Sequence, residues 1–111
     1  MLNRTIVESD DFLELSPEAQ CLYLHINLNA DDEGIVNNMR QVTGMVPNGE
    51  DALKELLYTG YVLPVLPKVY AVAHWHQHNT IAKDRYHKSR VCDPKQFLDL
   101  VDGVYKTKGI R

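Results

Sequence analysis

The spacing of apolar residues predicts a long helix from Pro17 to about Asn29. Ser16-Pro17-Glu18 is typical of a helix start, because it places a serine cap, a proline and an acid in the first turn. A helix with two apolar faces is expected to be covered on both sides, by other parts of the chain or by a second subunit. The two faces here comprise Ala19, Leu22, Tyr23, Ile26 and Ala30 on one side, and Cys21, Leu24 and Leu28 on the other.

Two shorter helices are predicted next, separated by a turn at Pro47-Asn48-Gly49. The first runs from Met39 to about Val46. The second is capped by Asn48 and ends at Thr59, before a glycine that supplies a left-handed stop. This pair of helices and its tight turn predict a helix-turn-helix.

The solvent face of the last of these helices is acidic. It carries Asp51, Lys54, Glu55 and Tyr58, with Glu50 at its edge. In a helix-turn-helix protein this element normally enters the major groove, and here three acids would approach the phosphates against one lysine. The pattern argues against sequence-specific reading by this helix and leaves a protein-binding face as the alternative.

Short β-prone runs predict a small antiparallel sheet. Tyr61–Leu66 and Val69–Trp75 flank Pro67-Lys68, which predicts a hairpin with a tight turn. Pro64 cannot donate a backbone hydrogen bond, so its strand is expected to be an edge strand or irregular. Asn3–Glu8 alternates and contains β-branched residues, which predicts an additional N-terminal strand.

After residue 90 the chain begins a new element. Asp93-Pro94 predicts the start of a short helix that stops at Gly103, followed by a frayed basic tail from Val104 to Arg111. With a brief extended pair at Ile35-Val36, the predicted fold is α+β and mainly helical. It is a winged helix-turn-helix with a small antiparallel β-sheet and an extra C-terminal helix. Residues 1–90 form the winged-helix domain in this interpretation, and residues 91–111 form the C-terminal helix and tail.

Composition places the chain among ordinary globular domains. Its 111 residues are 44% hydrophobic and 24% charged, which excludes a disordered or fibrous class. Two cysteines, Cys21 and Cys92, are too few for a disulfide framework. No apolar run is long enough to span a membrane and no secretory signal is present, so we expect a cytoplasmic protein without a membrane partner.

Charge is divided unevenly along the chain. Residues 1–67 hold three cations against eleven acids, a net charge of −8, whereas residues 68–90 hold five cations against one acid, a net charge of +4. Because screening confines each field to about 8–10 Å, a local basic cluster can bind phosphate on a protein that is acidic overall.

The predicted DNA-binding residues follow from this distribution. The main set, which we call the basic segment, lies between residues 83 and 90, where cations alternate with an aromatic ring suited to stacking. The remaining candidates lie on the hairpin turn and on the two helices of the helix-turn-helix. The full set is Lys83, Arg85, Tyr86, Lys88, Arg90, Lys68, Arg40, Gln41 and Lys54.

Four of the five histidines fall between residues 74 and 90. On a strand, His74, His76 and His78 would share one face, and His87 or Cys92 could complete a zinc site. We predict no metal, because His74 follows an apolar strand. No nucleophile with a partnered base and no glycine-rich phosphate loop is present, so neither an enzyme nor a cofactor is predicted.

Two stretches resemble a known family. VESDDFLELSPEAQCLYLHINLNADDEGIVNN in the first half and AHWHQHNTIAKDRYHKS in the second are similar to the N-terminal winged-helix region of DnaD-like phage replication proteins, the replisome organisers and replication initiators. The resemblance covers roughly residues 4 to 90. It implies a DNA-binding or oligomerising module that, in longer relatives, precedes a second domain contacting the replication machinery.

The resulting hypothesis is a DNA-binding winged-helix module of a phage or prophage replication initiation protein. Its expected partner is DNA, bound weakly and in a salt-sensitive way, with a homo-oligomer and host replication proteins as further possible partners. One alternative is a protein-interaction or oligomerisation module that uses the two-faced first helix and the acidic third helix. A winged-helix transcriptional regulator is the other alternative.

Overall fold

The computed structural model describes residues 2–79 and 91–107, which form an α+β domain of short helices and small antiparallel sheets. A 3-10 turn at Pro94–Gln96 precedes the last two strands. In chain order the elements are α1 (Arg4–Val7), α2 (Asp10–Leu13), α3 (Pro17–Asn29), β1 (Ile35–Val36), α4 (Met39–Thr43), α5 (Gly49–Thr59), β2 (Val62–Leu66), β3 (Val69–Val72), α6 (Trp75–His78), β4 (Leu98–Val101) and β5 (Val104–Thr107).

The N-terminal segment is helical, so the predicted strand at Asn3–Glu8 is wrong. The Asn3 side chain accepts a hydrogen bond from the Thr5 backbone N–H and caps α1, and Ser9 caps α2 by accepting from the Phe12 N–H. Phe12 is buried and anchors α2 on the core. These local caps outweigh the β-branched alternation, because capping satisfies backbone donors that a strand would leave unpaired at this position.

Helix α3 begins and ends as predicted. The Ser16 hydroxyl accepts from the Ala19 backbone N–H at 3.1 Å, and Pro17 occupies the first turn. One apolar face is buried in the core, whereas Leu24 is 42% exposed and Leu28 is 80% exposed. The described residues thus cover one of the two apolar faces of α3, and cover of the second face by another part of the chain or by a second subunit stays a prediction.

Helices α4 and α5 pack closely across their connecting turn. A Cβ atom on Gly49 would lie 2.0 Å from the Thr43 carbonyl oxygen, so only glycine permits this approach. Asn48 adopts a left-handed conformation with φ 54° and makes no side-chain cap, which corrects its predicted capping role. Helix α4 also ends at Thr43, earlier than predicted, because the chain must turn before the contact with Gly49.

The first sheet has the strand order β1-β3-β2, and all its pairs are antiparallel. Strand β2 is an edge strand with a register shift between Pro64 and Leu66, as the proline predicted. Strand β3 ends at Val72, so the predicted continuation to Trp75 is wrong. Trp75 instead begins α6, and its indole N–H donates to the Asp32 carbonyl at 2.9 Å. Gly34 makes room for that ring, since a Cβ there would lie 2.5 Å from Trp75 Cγ.

The C-terminal residues form a hairpin, not the predicted helix. Strands β4 and β5 pair from Leu98 opposite Thr107 to Val101 opposite Val104, and this pairing also replaces the predicted frayed tail as far as residue 107. The turn is Asp102-Gly103, with φ values of 53° and 80°, which suits the two-residue turn that joins tightly paired strands. Turn chemistry and pairing thus prevail over the helix-start signal of the preceding proline.

The hairpin and α6 are integral parts of the same core. The Tyr105 backbone N–H donates to the Ala73 carbonyl at 2.7 Å, and its side chain is buried with Leu98. Residues 91–107 therefore pack on the domain formed by the preceding chain. Within the described ranges, no helix has the length and apolar character needed to cross a lipid bilayer.

Candidate nucleic-acid interface

A groove of about 480 Å³ lies between α4, α5 and the β2–β3 hairpin. Three cationic side chains line it, and each comes from a different element: Arg40 from α4, Lys54 from α5 and Lys68 from the hairpin turn. All three residues are exposed. The structure thus brings together three of the predicted DNA-binding residues that are up to 28 positions apart in the sequence.

Local structure explains why these cations converge. The close packing of Gly49 on Thr43 holds α4 against α5 and brings Arg40 and Lys54 to one side of the helix pair. Lys68 extends the same side from the tip of the hairpin. Its φ of 64° is left-handed, a conformation that glycine or asparagine usually adopts at a tight turn.

None of the three groove cations forms an ion pair within residues 2–79 and 91–107. The one ion pair in these ranges joins Arg4 and Glu8 on the N-terminal helices, with 2.8 Å between Arg4 Nε and Glu8 Oε2. Cations that converge without protein acids as partners leave their charge available to an anionic ligand.

The acids of α5 are arranged differently from the sequence prediction. Glu55 does not face the groove: its carboxylate accepts from the Ser16 backbone N–H at 2.8 Å and from the Ser16 hydroxyl at 2.7 Å. It thereby caps α3, where the positive end of the helix dipole favours a carboxylate. Glu50 is the acid that lines the groove, and Asp51 lines an adjoining shallow cavity with Arg40.

The floor of the groove is apolar. Buried Met39 and half-buried Leu53, Leu57 and Tyr70 line it between the cations. Asn37 and Asn38, the two residues before α4, also line the groove, and the Asn38 side chain forms no cap bond. The sequence analysis missed the position of this polar pair and that of Tyr70, and the available signal was two asparagines directly before a helix.

The remaining predicted DNA-binding residues do not line this groove. Gln41 is exposed on α4 but lies outside the groove and the cavity beside it. Lys83, Arg85, Tyr86, Lys88 and Arg90, which form the basic segment, lie outside the described residues. In the sequence the basic segment begins five positions after His78, the last residue of α6.

The histidines of α6 serve as buried hydrogen-bonding groups. The Asn3 backbone N–H donates to His78 Nδ1 at 2.6 Å, so the proton of the neutral ring is on Nε2, which lies 2.6 Å from the Tyr23 hydroxyl. Burial lowers the pKa of His78 to about 4, and the neighbouring His74 adds to the shift. A neutral ring is required here, because a protonated Nδ1 would face the donor N–H of Asn3.

A second hydrogen-bonded chain joins α6 to the C-terminal hairpin. The Tyr105 hydroxyl donates to the Glu33 carbonyl at 2.9 Å and lies 2.8 Å from His76 Nε2, which therefore acts as the donor of that pair. Burial lowers the pKa of His76 and raises the pKa of Tyr105, so both groups remain neutral at physiological pH. His76 and His78 lie on α6 and His74 lies in the turn before it, so the shared strand face considered for zinc does not form.

No group of three or more histidine, cysteine or carboxylate side chains suited to a metal occurs in the described part of the chain. Comparison of the chain with family models, with curated proteins and with solved structures gives no match. The groove itself offers three cations that have no ion-pair partner among the described residues, one acid and an apolar floor.

We expect acid to destabilise the domain through His78. Its folded pKa of about 4 lies below the ordinary value of 6.5, so the unfolded chain binds more protons between these pH values. Stability should be full above pH 6.5 and fall as pH drops toward 4, by up to about 3 kcal/mol from this residue. Urea unfolding across this range measures the slope.

The variant His78→Gln should flatten this pH dependence, although it lowers stability at neutral pH because the Tyr23 and Asn3 contacts are lost. His25→Gln, at a half-buried position on α3 outside the network, is the matched control and should retain the wild-type slope. Some slope remains in His78→Gln, since burial also lowers the pKa of His74 and His76. An unchanged slope in His78→Gln would contradict the neutral buried ring.

Proposed function

We propose that this chain is a winged helix-turn-helix module that binds DNA. The order α3, β1, α4, α5, β2, β3, with a sheet arranged β1-β3-β2, supports this topology, with α4 and α5 as the helix-turn-helix and the β2–β3 hairpin as the wing. In this arrangement the groove lies between the two helices of the motif and the wing, beside α5, which is the helix that a helix-turn-helix presents to nucleic acid.

The convergence of Arg40, Lys54 and Lys68 is the observation that carries the proposal. The groove holds three cations against one acid, Glu50, on a chain whose first 67 residues are strongly acidic. Each of the three elements around the groove contributes one cation to it. Cations scattered at random over the surface would not converge in this way. A phosphate backbone provides the anions that this arrangement can bind.

The basic segment is proposed to add further phosphate contacts. Its four cations, with Tyr86 as a stacking ring, follow α6 in the chain, and Gln41 on α4 would add a polar contact beside the groove. Binding would thus depend on two sets of cations, the groove set and the basic segment. With so few phosphate contacts the affinity of an isolated module should be low and sensitive to salt.

We assign the module to phage or prophage DNA replication on the strength of its resemblance to DnaD-like replication proteins. In that role it would act as part of a replisome organiser, with a homo-oligomer and host replication proteins as partners. A winged-helix transcriptional regulator would present the same groove. Binding to a replication origin, as opposed to an operator, would distinguish the two roles.

A protein-interaction or oligomerisation module is the second candidate. Leu28 is 80% exposed and Leu24 is 42% exposed on α3, and Tyr58 is 92% exposed on α5. Large apolar side chains at this exposure, next to one another on a helix face, are typical of surfaces that associate with protein. This candidate uses a different face of the domain from the groove, so the two functions are compatible.

The triple variant Arg40→Ala, Lys54→Ala, Lys68→Ala tests the groove. We expect weaker binding to a labelled duplex and to a labelled single strand. The slope of log affinity against log salt concentration should decrease in magnitude by about 3, since each phosphate contact contributes about one. Fluorescence anisotropy across a salt series measures both. The quadruple variant with alanine at Lys83, Arg85, Lys88 and Arg90 measures the contribution of the basic segment separately.

Arg4→Ala is the charge control, because it removes one cation that is already paired with Glu8 and lies far along the chain from the groove elements. It should bind as the wild type does. A triple variant with wild-type affinity and salt slope would show that the groove holds no phosphate. If neither protein bound at low salt, the DNA-binding function would be refuted and the protein-interaction candidate favoured.

Lys68 offers a test in which stability and binding move in opposite directions. Its φ of 64° is unfavourable for a lysine, so Lys68→Gly should raise the unfolding free energy by about 0.5–1 kcal/mol. The same variant removes a groove cation and should weaken DNA binding and lower the salt slope by about 1. Lys68→Asn, which also tolerates this conformation, is expected to behave alike. Wild-type DNA affinity in both variants would show that Lys68 does not contribute to DNA binding.

A further inference from the structure

The groove has two chemically different parts. Its rim carries Arg40, Lys54 and Lys68, and its floor is formed by apolar side chains that are only half-buried, among them Leu53, Leu57 and Tyr70. A volume of about 480 Å³ is within the range of sites that enclose organic ligands. A purely electrostatic backbone contact needs no such apolar concavity, whereas a ligand with an apolar or aromatic part would fit it.

The outer edge of α5 is poorly suited to insertion into a duplex. Glu50 and Asp51 lie in its first turn, and both are exposed. A helix in the major groove lies between two rows of phosphates, and duplex DNA carries twice the phosphate density of a single strand along its axis. Glu50 also lines the groove, so a single strand there meets one acid, whereas a duplex around α5 meets both acids at twice the phosphate density and is repelled more strongly.

We propose, building on the DNA-binding function above, that this groove binds single-stranded DNA in preference to duplex. One unstacked base lies on the apolar floor against Tyr70, and the flanking phosphates lie at the three rim cations. Aromatic rings and cations in one groove are the combination used for single strands, because every base has an aromatic face while its phosphates remain outside. In a duplex the bases are stacked and paired, so none can enter the floor.

The two asparagines at the rim give the site a polar edge beside the base. Asn37 is exposed, and the Asn38 amide donates to Asn29 Oδ1 at 3.2 Å, which fixes its orientation and leaves its own carbonyl oxygen as an acceptor. Asparagine amides pair well with base edges. The strand is thus held by stacking and charge, with a modest preference among bases from these amides.

Fluorescence anisotropy with three matched probes tests this preference in the intact protein. The probes are a labelled oligothymidine of about 12 nucleotides, an abasic strand with the same number of phosphates, and a duplex of the same length. We expect oligothymidine to bind about tenfold more tightly than the abasic strand, because loss of stacking on one aromatic ring has about that effect. The duplex should also bind more weakly than oligothymidine.

Two tyrosine variants test whether the base stacks on Tyr70. Tyr70→Leu keeps an apolar side chain on the floor but removes the ring, and it should reduce oligothymidine affinity about tenfold while leaving binding of the abasic strand unchanged. Tyr58→Leu is the control, because Tyr58 is the fully exposed ring of α5 and does not line the groove. It should leave all three affinities unchanged. Thermal unfolding confirms that both variants are folded.

The outcomes separate this inference from the function on which it rests. Equal binding of oligothymidine and the abasic strand by the wild-type protein would overturn the base site, and this comparison needs no variant to fold. Duplex binding that is at least as tight as single-strand binding, and that Tyr58→Leu weakens, would overturn the strand preference while supporting DNA binding through α5. Absence of binding to all three probes at low salt would overturn both.

Discussion

The carboxylate of Glu55 holds together the part of the fold that presents the groove. It accepts two hydrogen bonds from Ser16, so α5 is tied to the first turn of α3, and the dipole of the longer helix stabilises the charge. The contact fixes the rotation of α5 about its axis. As a result Lys54 lines the groove, whereas the carboxylate of Glu55 on the same helix binds Ser16.

Separation of charge follows from this arrangement. The first 67 residues carry a net negative charge, yet the groove is lined by three cations and only one acid. A negative net charge and a positive groove can coexist because salt screens charges over about 8–10 Å, so distant acids contribute little to the potential in the groove. His76 and His78 of α6 contribute no charge at neutral pH, since burial lowers their pKa values and each holds a structural hydrogen bond.

The sequence predicts α3 from strong local signals, misses the local caps of α1 and α2, and fails at the C-terminal hairpin, where tertiary partners decide. Ser16 and Pro17 located the start of α3, and Pro64 located an edge strand, because cap and backbone chemistry are local. The Asp102-Gly103 turn was also visible, but the proline before it suggested a helix and the pairing partner could not be inferred. For the site, Arg40, Lys54 and Lys68 were predicted individually. Their convergence, and the diversion of Glu55, depend on packing between distant segments.

A titration of the isotope-labelled protein with oligothymidine, followed by backbone amide NMR shifts, tests most directly whether the groove is the nucleic-acid site. We predict the largest shifts in α4, in α5 and at Lys68 in the hairpin turn, with further shifts in the basic segment. Shifts confined to the basic segment, or to the exposed Leu24 and Leu28 face of α3, would contradict the assignment of the groove. The location of the shifts decides between these surfaces without any substitution.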